Sequence, residues 1–140
     1  MPCLEITMPR TDTDTRQQLA TKLTETFAQN TRFEAEIFGV RFCEYDVGEA
    51  ASGGKLWDGR EGRPYLHFVL YCPRISRVVK QNVVKALTAV FTECLSKPDW
   101  LPIIHICEHP YDNLGVAGEL ASDAFEECAN RNFYYELTDE

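Results

Sequence analysis

The segment Leu19–Phe27, LATKLTETF, returns 64 positions later as VVKALTAVF, Val83–Phe91. Without a gap, Leu19, Leu23, Thr24 and Phe27 fall on Val83, Leu87, Thr88 and Phe91. In both copies the large apolar side chains recur every fourth residue, the spacing that lines one face of an α-helix. The same offset carries outward in both directions. Pro9-Arg10 falls on Pro73-Arg74, Phe42-Cys43-Glu44 on Ile106-Cys107-Glu108, and Gly54 and Leu56 on Gly118 and Leu120. So many matches at one offset identify an internal duplication.

Each half reads as strand, helix, strand. Residues 3–8 alternate as a half-buried strand does, and Thr11-Asp12-Thr13-Asp14 offers side-chain oxygens to cap the helix that follows. Ile37 to Tyr45 reads as the second strand, and a hairpin is expected near Gly53-Gly54. The second half repeats the order, with Tyr65 to Cys72 as strand, Ser76 as N-cap, Val79, Val83, Leu87 and Phe91 as the buried helix face, and Leu101 to Cys107 as the last long strand. A helix joining two strands of one sheet makes a right-handed crossover with the strands parallel. The expected fold is therefore α+β: two fused βαβ units forming a four-stranded mixed sheet with both helices on one face. The chain divides as one domain over 1–140, with a first unit at 1–60, a second at 64–124 and a C-terminal extension at 125–140. The connector Asp58 to Arg63 is polar and glycine-containing, as a linker should be. Ile103 and Cys107 are apolar opposite Ile104 and Ile106, so the helix-free face should be covered by other subunits. Asn132 to Leu137 reads as a short extra strand able to pair with a neighbour.

Composition narrows the function. A net charge of −8 argues against nucleic acid, whose phosphates call for a basic face. No apolar run reaches the length of a membrane span, and no secretion signal is visible, which points to the cytoplasm. None of the six cysteines forms a C-x-x-C pair; most fall in apolar patterns and are expected to be buried free thiols. The three histidines lack helical metal-ligand spacing, so no metal site is expected.

Three stretches carry a resemblance. Pro2 stands directly after Met1, at the head of the first βαβ unit. Glu108 is followed by Asn113-Leu114-Gly115-Val116-Ala117-Gly118-Glu119-Leu120-Ala121-Ser122, and Arg74 and Arg77 stand in R-x-x-R spacing. The chain resembles the tautomerase superfamily. Its hairpin is similar to that of 4-oxalocrotonate tautomerase, the strand ending in Pro9-Arg10 is similar to macrophage migration inhibitory factor, and the arginine pair resembles the cis-3-chloroacrylic acid dehalogenase branch. The resemblance implies a cofactor-independent enzyme, a homotrimer and a small anionic 2-oxo acid or enol as substrate. It implies Pro2 as catalytic residue and Arg74, the eleventh residue counted from Pro64, as a carboxylate ligand. That family's second-strand arginine would fall on Gly39 or Ile103 and its aromatic wall on Leu114, so neither is matched.

The chemistry follows from the residue types. Once Met1 is removed, Pro2 presents a secondary amine; burial and nearby cations disfavour its ammonium, leaving a neutral base near pH 7. Otherwise Pro2 merely opens an edge strand. Pro64 is an in-chain amide without basicity, and the repeat places Leu66, not Pro64, opposite Pro2. Guanidinium groups suit a carboxylate or a developing enolate, making Arg74, its repeat partner Arg10 and the nearby Arg77 candidate substrate ligands. Arg41 and His105 are repeat equivalents on the second strands; each faces either solvent or a pocket. The leading reading is tautomerisation of a 2-oxo acid. The alternatives are a hydratase or dehalogenase of 3-substituted acrylates, and a non-enzymatic oligomer on the same scaffold.

Overall fold

The computed structural model describes residues 1–60 and 62–129. Four strands form the main sheet: β1 (Cys3–Pro9), β2 (Gly39–Tyr45), β5 (His67–Pro73) and β6 (Ile103–His109). Their order is β2-β1-β5-β6, with β1/β2 and β5/β6 parallel and the central pair β1/β5 antiparallel. Helices α1 (Thr13–Asn30) and α2 (Arg77–Leu95) make the crossovers. Two small hairpins, β3 (Ala51–Ser52) with β4 (Lys55–Leu56) and β7 (Gly115–Val116) with β8 (Glu119–Leu120), follow the second long strand of each unit, and the short helices α3 (Ala121–Ala124) and α4 (Glu126–Ala129) are the last elements among the described residues. Every strand of the second half begins and ends 64 residues after its counterpart. The expected strand at 132–137 lies outside the described residues.

The duplication is a duplication of the core. Leu4, Ile6 and Met8 of β1 and their counterparts Phe68, Leu70 and Cys72 of β5 turn to the helices, all at most 1% exposed. Against them pack Leu19, Leu23 and Phe27 of α1 and Val83, Leu87 and Phe91 of α2, none with measurable exposure. Alternation sends the intervening residues to the helix-free face. There Ile103 remains 56% exposed, and His67 Nε2 meets His105 Nδ1 at 2.6 Å. The long strands after the first start two residues later than the apolar pattern suggests. Pairing begins only where Gly39 N–H reaches the Pro2 carbonyl, and Ile103 N–H that of Leu66, each at 3.1 Å.

Both helices are fastened alike. Asp12 Oδ1 accepts Thr15 N–H at 2.7 Å, and Ser76 Oγ accepts Val79 N–H at 3.2 Å. Behind each cap a strand-end glutamate reaches the loop and the helix together. Glu44 accepts from Thr11 N–H (2.5 Å) and Arg16 Nη1 (2.6 Å); Glu108 accepts from Ile75 N–H (2.9 Å) and Lys80 Nζ (2.5 Å). Ser76→Ala removes a buried cap and should lower stability by about 1 kcal/mol, read from urea unfolding at fixed protein concentration.

No disulfide joins the six cysteines, but only Cys72 and Cys128 are buried; Cys107, on the helix-free face, is exposed. Burial, with Glu108 nearby, pushes the Cys72 thiol up to about 12, which makes it an inert packing residue. No helix among the described residues is long and apolar enough to cross a membrane.

Candidate active site

Pro2 opens the cavity that the fold builds at one corner. It is buried at the head of β1, with the parity of Leu4 and Ile6, and so lies on the helix side of the sheet. Because β5 runs antiparallel beside β1, with Tyr71 opposite Cys3, the end of β5 at Pro73 arrives next to Pro2. The loop from α1 to β2 ends at the same place, since parallel pairing sets Gly39 beside the start of β1. These pieces and the C-terminal segment enclose a cavity of about 390 Å³.

Its polar wall is Arg32, Glu34, Tyr111 and Glu127. Arg32 Nη1 donates to the Arg74 carbonyl at 3.1 Å and Nη2 to the Tyr111 hydroxyl at 3.3 Å. Its guanidinium also lies 4.4 Å from the centroid of the Phe33 ring, a cation–π contact. One side chain thus ties the α1–β2 loop to the end of β5 and to the turn after β6. Glu34 and Glu127 are exposed at the rim. The apolar wall includes Phe33, Ile37, Leu114, Val116 and Phe125. Leu114 and Val116 are placed by the β7–β8 hairpin, whose two-residue turn Ala117-Gly118 has φ of 53° and 91°. A turn with both residues at positive φ matches strand twist, which explains the glycine there.

The terminal amine at this corner is held below its ordinary value of 8.0, chiefly because burial disfavours the ammonium; Cys3 and Cys128 oppose that shift. With Met1 in place this group belongs to Met1. Removal of Met1 would transfer it to Pro2, deeper in the same wall.

Of the sequence-derived candidates, Pro2 alone lines this cavity. Arg74 is half-buried directly after Pro73, and its carbonyl anchors Arg32. Arg77 is exposed at the first residue of α2. Arg10 stands at the twin corner of the repeat, its Nε 2.8 Å from Asp46 Oδ1. Arg41 and His105 lie on the helix-free face, because they alternate with Phe42 and Ile106, which pack against the core. Within one chain the structure does not bring these last three to Pro2. Arg32, Glu34, Tyr111 and Glu127 were not singled out from sequence. Topology held a signal for the first two: in a βαβ unit the helix ends where its first strand begins, so residues 31–38 had to lie near Pro2.

No protein-family description matches the chain, and no curated protein sequence does either. Solved structures do. The chain is similar to a native fused 4-OT, with a TM-score of 0.78 and 20% identity over 87% of this chain and 98% of that one. An asymmetric trimer of a second fused 4-OT gives 0.75 and 17%, covering 85% and 95%. Malonate semialdehyde decarboxylase, a structure described for decarboxylase and hydratase activities, gives 0.69 and 17%, covering 86% and 94%. These likenesses establish the fold as the one shared by the fused 4-OT and malonate semialdehyde decarboxylase structures.

Proposed function

We propose that this chain is a cofactor-independent tautomerase of a small 2-oxo acid, with Pro2 as its base once Met1 has been removed. The observation that carries this reading is the meeting of Pro2 and Arg32 on one cavity of about 390 Å³, large enough for a small acid. Arg32 takes the carboxylate, braced by the Arg74 carbonyl and Tyr111. The neutral Pro2 amine accepts the enol hydroxyl proton, and the resulting ammonium delivers a proton to the carbon beside the carbonyl. An O–H and a C=C bond give way to a C–H and a C=O bond, and the amine is regenerated. Ketonisation of phenylenolpyruvate tests the reading; no acceleration by the processed chain would end it. Arg32→Ala should lower kcat/KM about 10- to 100-fold, mainly through KM, because it removes a charge-assisted contact worth about 1.5–3 kcal/mol. Arg32→Lys should retain part of the loss, keeping the charge without the paired donors.

Glu34 and Glu127 at the cavity rim favour a second reading, hydration or dehalogenation of a 3-substituted acrylate. There a protonated Pro2 supplies the proton and a carboxylate aligns water. Turnover of 3-haloacrylates that collapses in Glu34→Gln or Glu127→Gln, with no ketonisation, would select it.

We also infer a homotrimer in the cytosol, its subunits covering the helix-free face. The exposed Ile103 supports this, as does the trimeric state described for the fused 4-OT neighbour. In such an assembly Arg10, Arg41, Arg77 and His105 can serve a neighbour's cavity rather than their own. Sedimentation at three times the chain mass is expected. A monomer would leave the non-enzymatic and enzymatic readings alike without their shared assembly.

A further inference from the structure

The twin corner of the repeat is not filled in. Where Pro2 has its cavity, the pseudo-equivalent end of the molecule has another, of about 240 Å³, opened by Pro9 as the first is by Pro73. Its wall also includes the apolar Met8 and Leu95 and, on the polar side, Arg10, Thr11, Thr15 and Lys97, with Trp100 at one edge. This volume is below the roughly 300–1,000 Å³ of drug-sized clefts, which limits an occupant to a small molecule.

The two corners share a device that the sequence alignment does not show, because it is built from unmatched residues. In the first, Arg32 stacks on Phe33; in the second, Lys97 Nζ lies 5.5 Å from the centroid of the Trp100 ring. Each is a cation laid on an aromatic ring in the loop that leads from helix to strand. Lys97 is placed by a tight helix end. Its N–H donates to Thr92 O and that of Ser96 to Glu93 O, at 3.0 and 3.1 Å, with Ser96 turned into the left-handed region at φ 52°. Trp100 N–H then closes back onto Lys97 O at 3.0 Å. The lysine is therefore carried on a rigid turn.

Charge is also left over at this corner. Glu44 is engaged by Thr11 N–H and Arg16, and Asp46 by Arg10 through Nε and Nη2. Lys97 has no carboxylate within ion-pair distance among the described residues. An exposed ammonium on an indole, with threonine side chains and the Asp46-paired guanidinium of Arg10 on the same wall, presents a cleft with one cation left over and one flat apolar side. That combination suits a carboxylate attached to a planar body.

We propose that the twin corner is a second binding pocket for small planar carboxylates, one that binds without reacting. It cannot react as the first does. Leu66, not a terminal proline, holds the equivalent strand head, and its nitrogen is an amide. Lys97 holds the carboxylate, Trp100 stacks on the planar body, and Arg10, kept in place by Asp46, contributes the outer charge.

Trp57 packs edge-on against Trp100, 6.0 Å between ring centroids, and Phe keeps an aromatic edge there. These are the chain's two tryptophans, so in a Trp57→Phe background the emission of Trp100 alone reports this pocket. Titration with benzoate should change that emission saturably. Lys97→Ala should weaken the response about tenfold or more, and Lys97→Arg less, as expected for loss of a charge-assisted contact. The response should survive Pro2→Ala, which separates this pocket from the proposed active site. Trp100 emission that does not respond overturns the proposal. So does a response of equal strength in Lys97→Ala, or one lost in Pro2→Ala. Circular dichroism checks that each variant is folded. Should Trp57→Phe fail to fold, the amide chemical shifts of Thr11, Thr15 and Lys97 in the unsubstituted chain give the same reading, perturbation supporting the pocket and constancy overturning it.

Discussion

Turnover of phenylenolpyruvate should fall by about two to four orders of magnitude when the Pro2 nitrogen is kept acylated, the range that general acid–base catalysis contributes. The comparison needs three proteins: the chain with Met1 removed, the chain with Met1 retained, and a processed Pro2→Ala chain. In the second, the Pro2 nitrogen is an amide and has no basic lone pair. In the third, a primary amine remains but lacks the ring that fixes its direction. Activity should rank processed wild type first, Pro2→Ala lower, and the Met1-retaining chain lowest, with intact mass confirming each terminus. Equal turnover in the first two would remove Pro2 from the mechanism. The pH profile adds a sign. Burial holds the terminal amine at this corner below 8.0, and the base must be neutral to act. For the processed chain, kcat/KM should therefore rise with pH through a value below that of an ordinary α-amino group and then level off.

The second large effect is on stability. Phe27→Ala should cost about 3–5 kcal/mol, the usual range for emptying a buried phenylalanine site. Phe27 has no measurable exposure and stacks on Phe38 at 4.2 Å and on Phe33 at 5.9 Å between ring centroids. Phe33 in turn lies beneath the Arg32 guanidinium. Phe91 is the repeat equivalent, also without measurable exposure, but its partner is Phe68 of β5, edge-on at 4.9 Å. Phe91→Ala should therefore unfold at a similar urea concentration while leaving the Pro2 cavity in place. Below both transitions, Phe27→Ala should lose more kcat/KM than Phe91→Ala. Equal losses would mean that the aromatic stack does not position Arg32.

The contrast between those two phenylalanines shows what the amino-acid sequence makes legible. Matched positions such as Leu19 and Val83, or Glu44 and Glu108, encode what both halves must do: fill a core and fasten a helix. They give the fold. The cavity walls sit where the halves disagree. Arg32 has Ser96 as its counterpart, Glu34 has Pro98, and Tyr111 has Val47. A search for matches passes over such residues by construction. Arg41 and His105 show the converse: they share a repeat position, and that position is one the sheet turns away from its helices on both sides of the molecule. The role proposed for Pro2 has a separate origin, since it depends on a free chain terminus rather than on packing.

One covalent chain joins the two halves, and this has a hereditary consequence. In an assembly of identical single βαβ chains, a change at the helix end appears at both corners at once, and any gain at one is tied to its effect at the other. Here position 32 can become arginine while position 96 stays serine, and position 33 can hold phenylalanine while position 97 holds lysine. Each corner is free to drift, specialise or fall silent without its sibling. Across such fused chains, sequence divergence should therefore concentrate in the two helix-to-strand loops and differ between them, while the twin glutamates behind the helix caps stay paired.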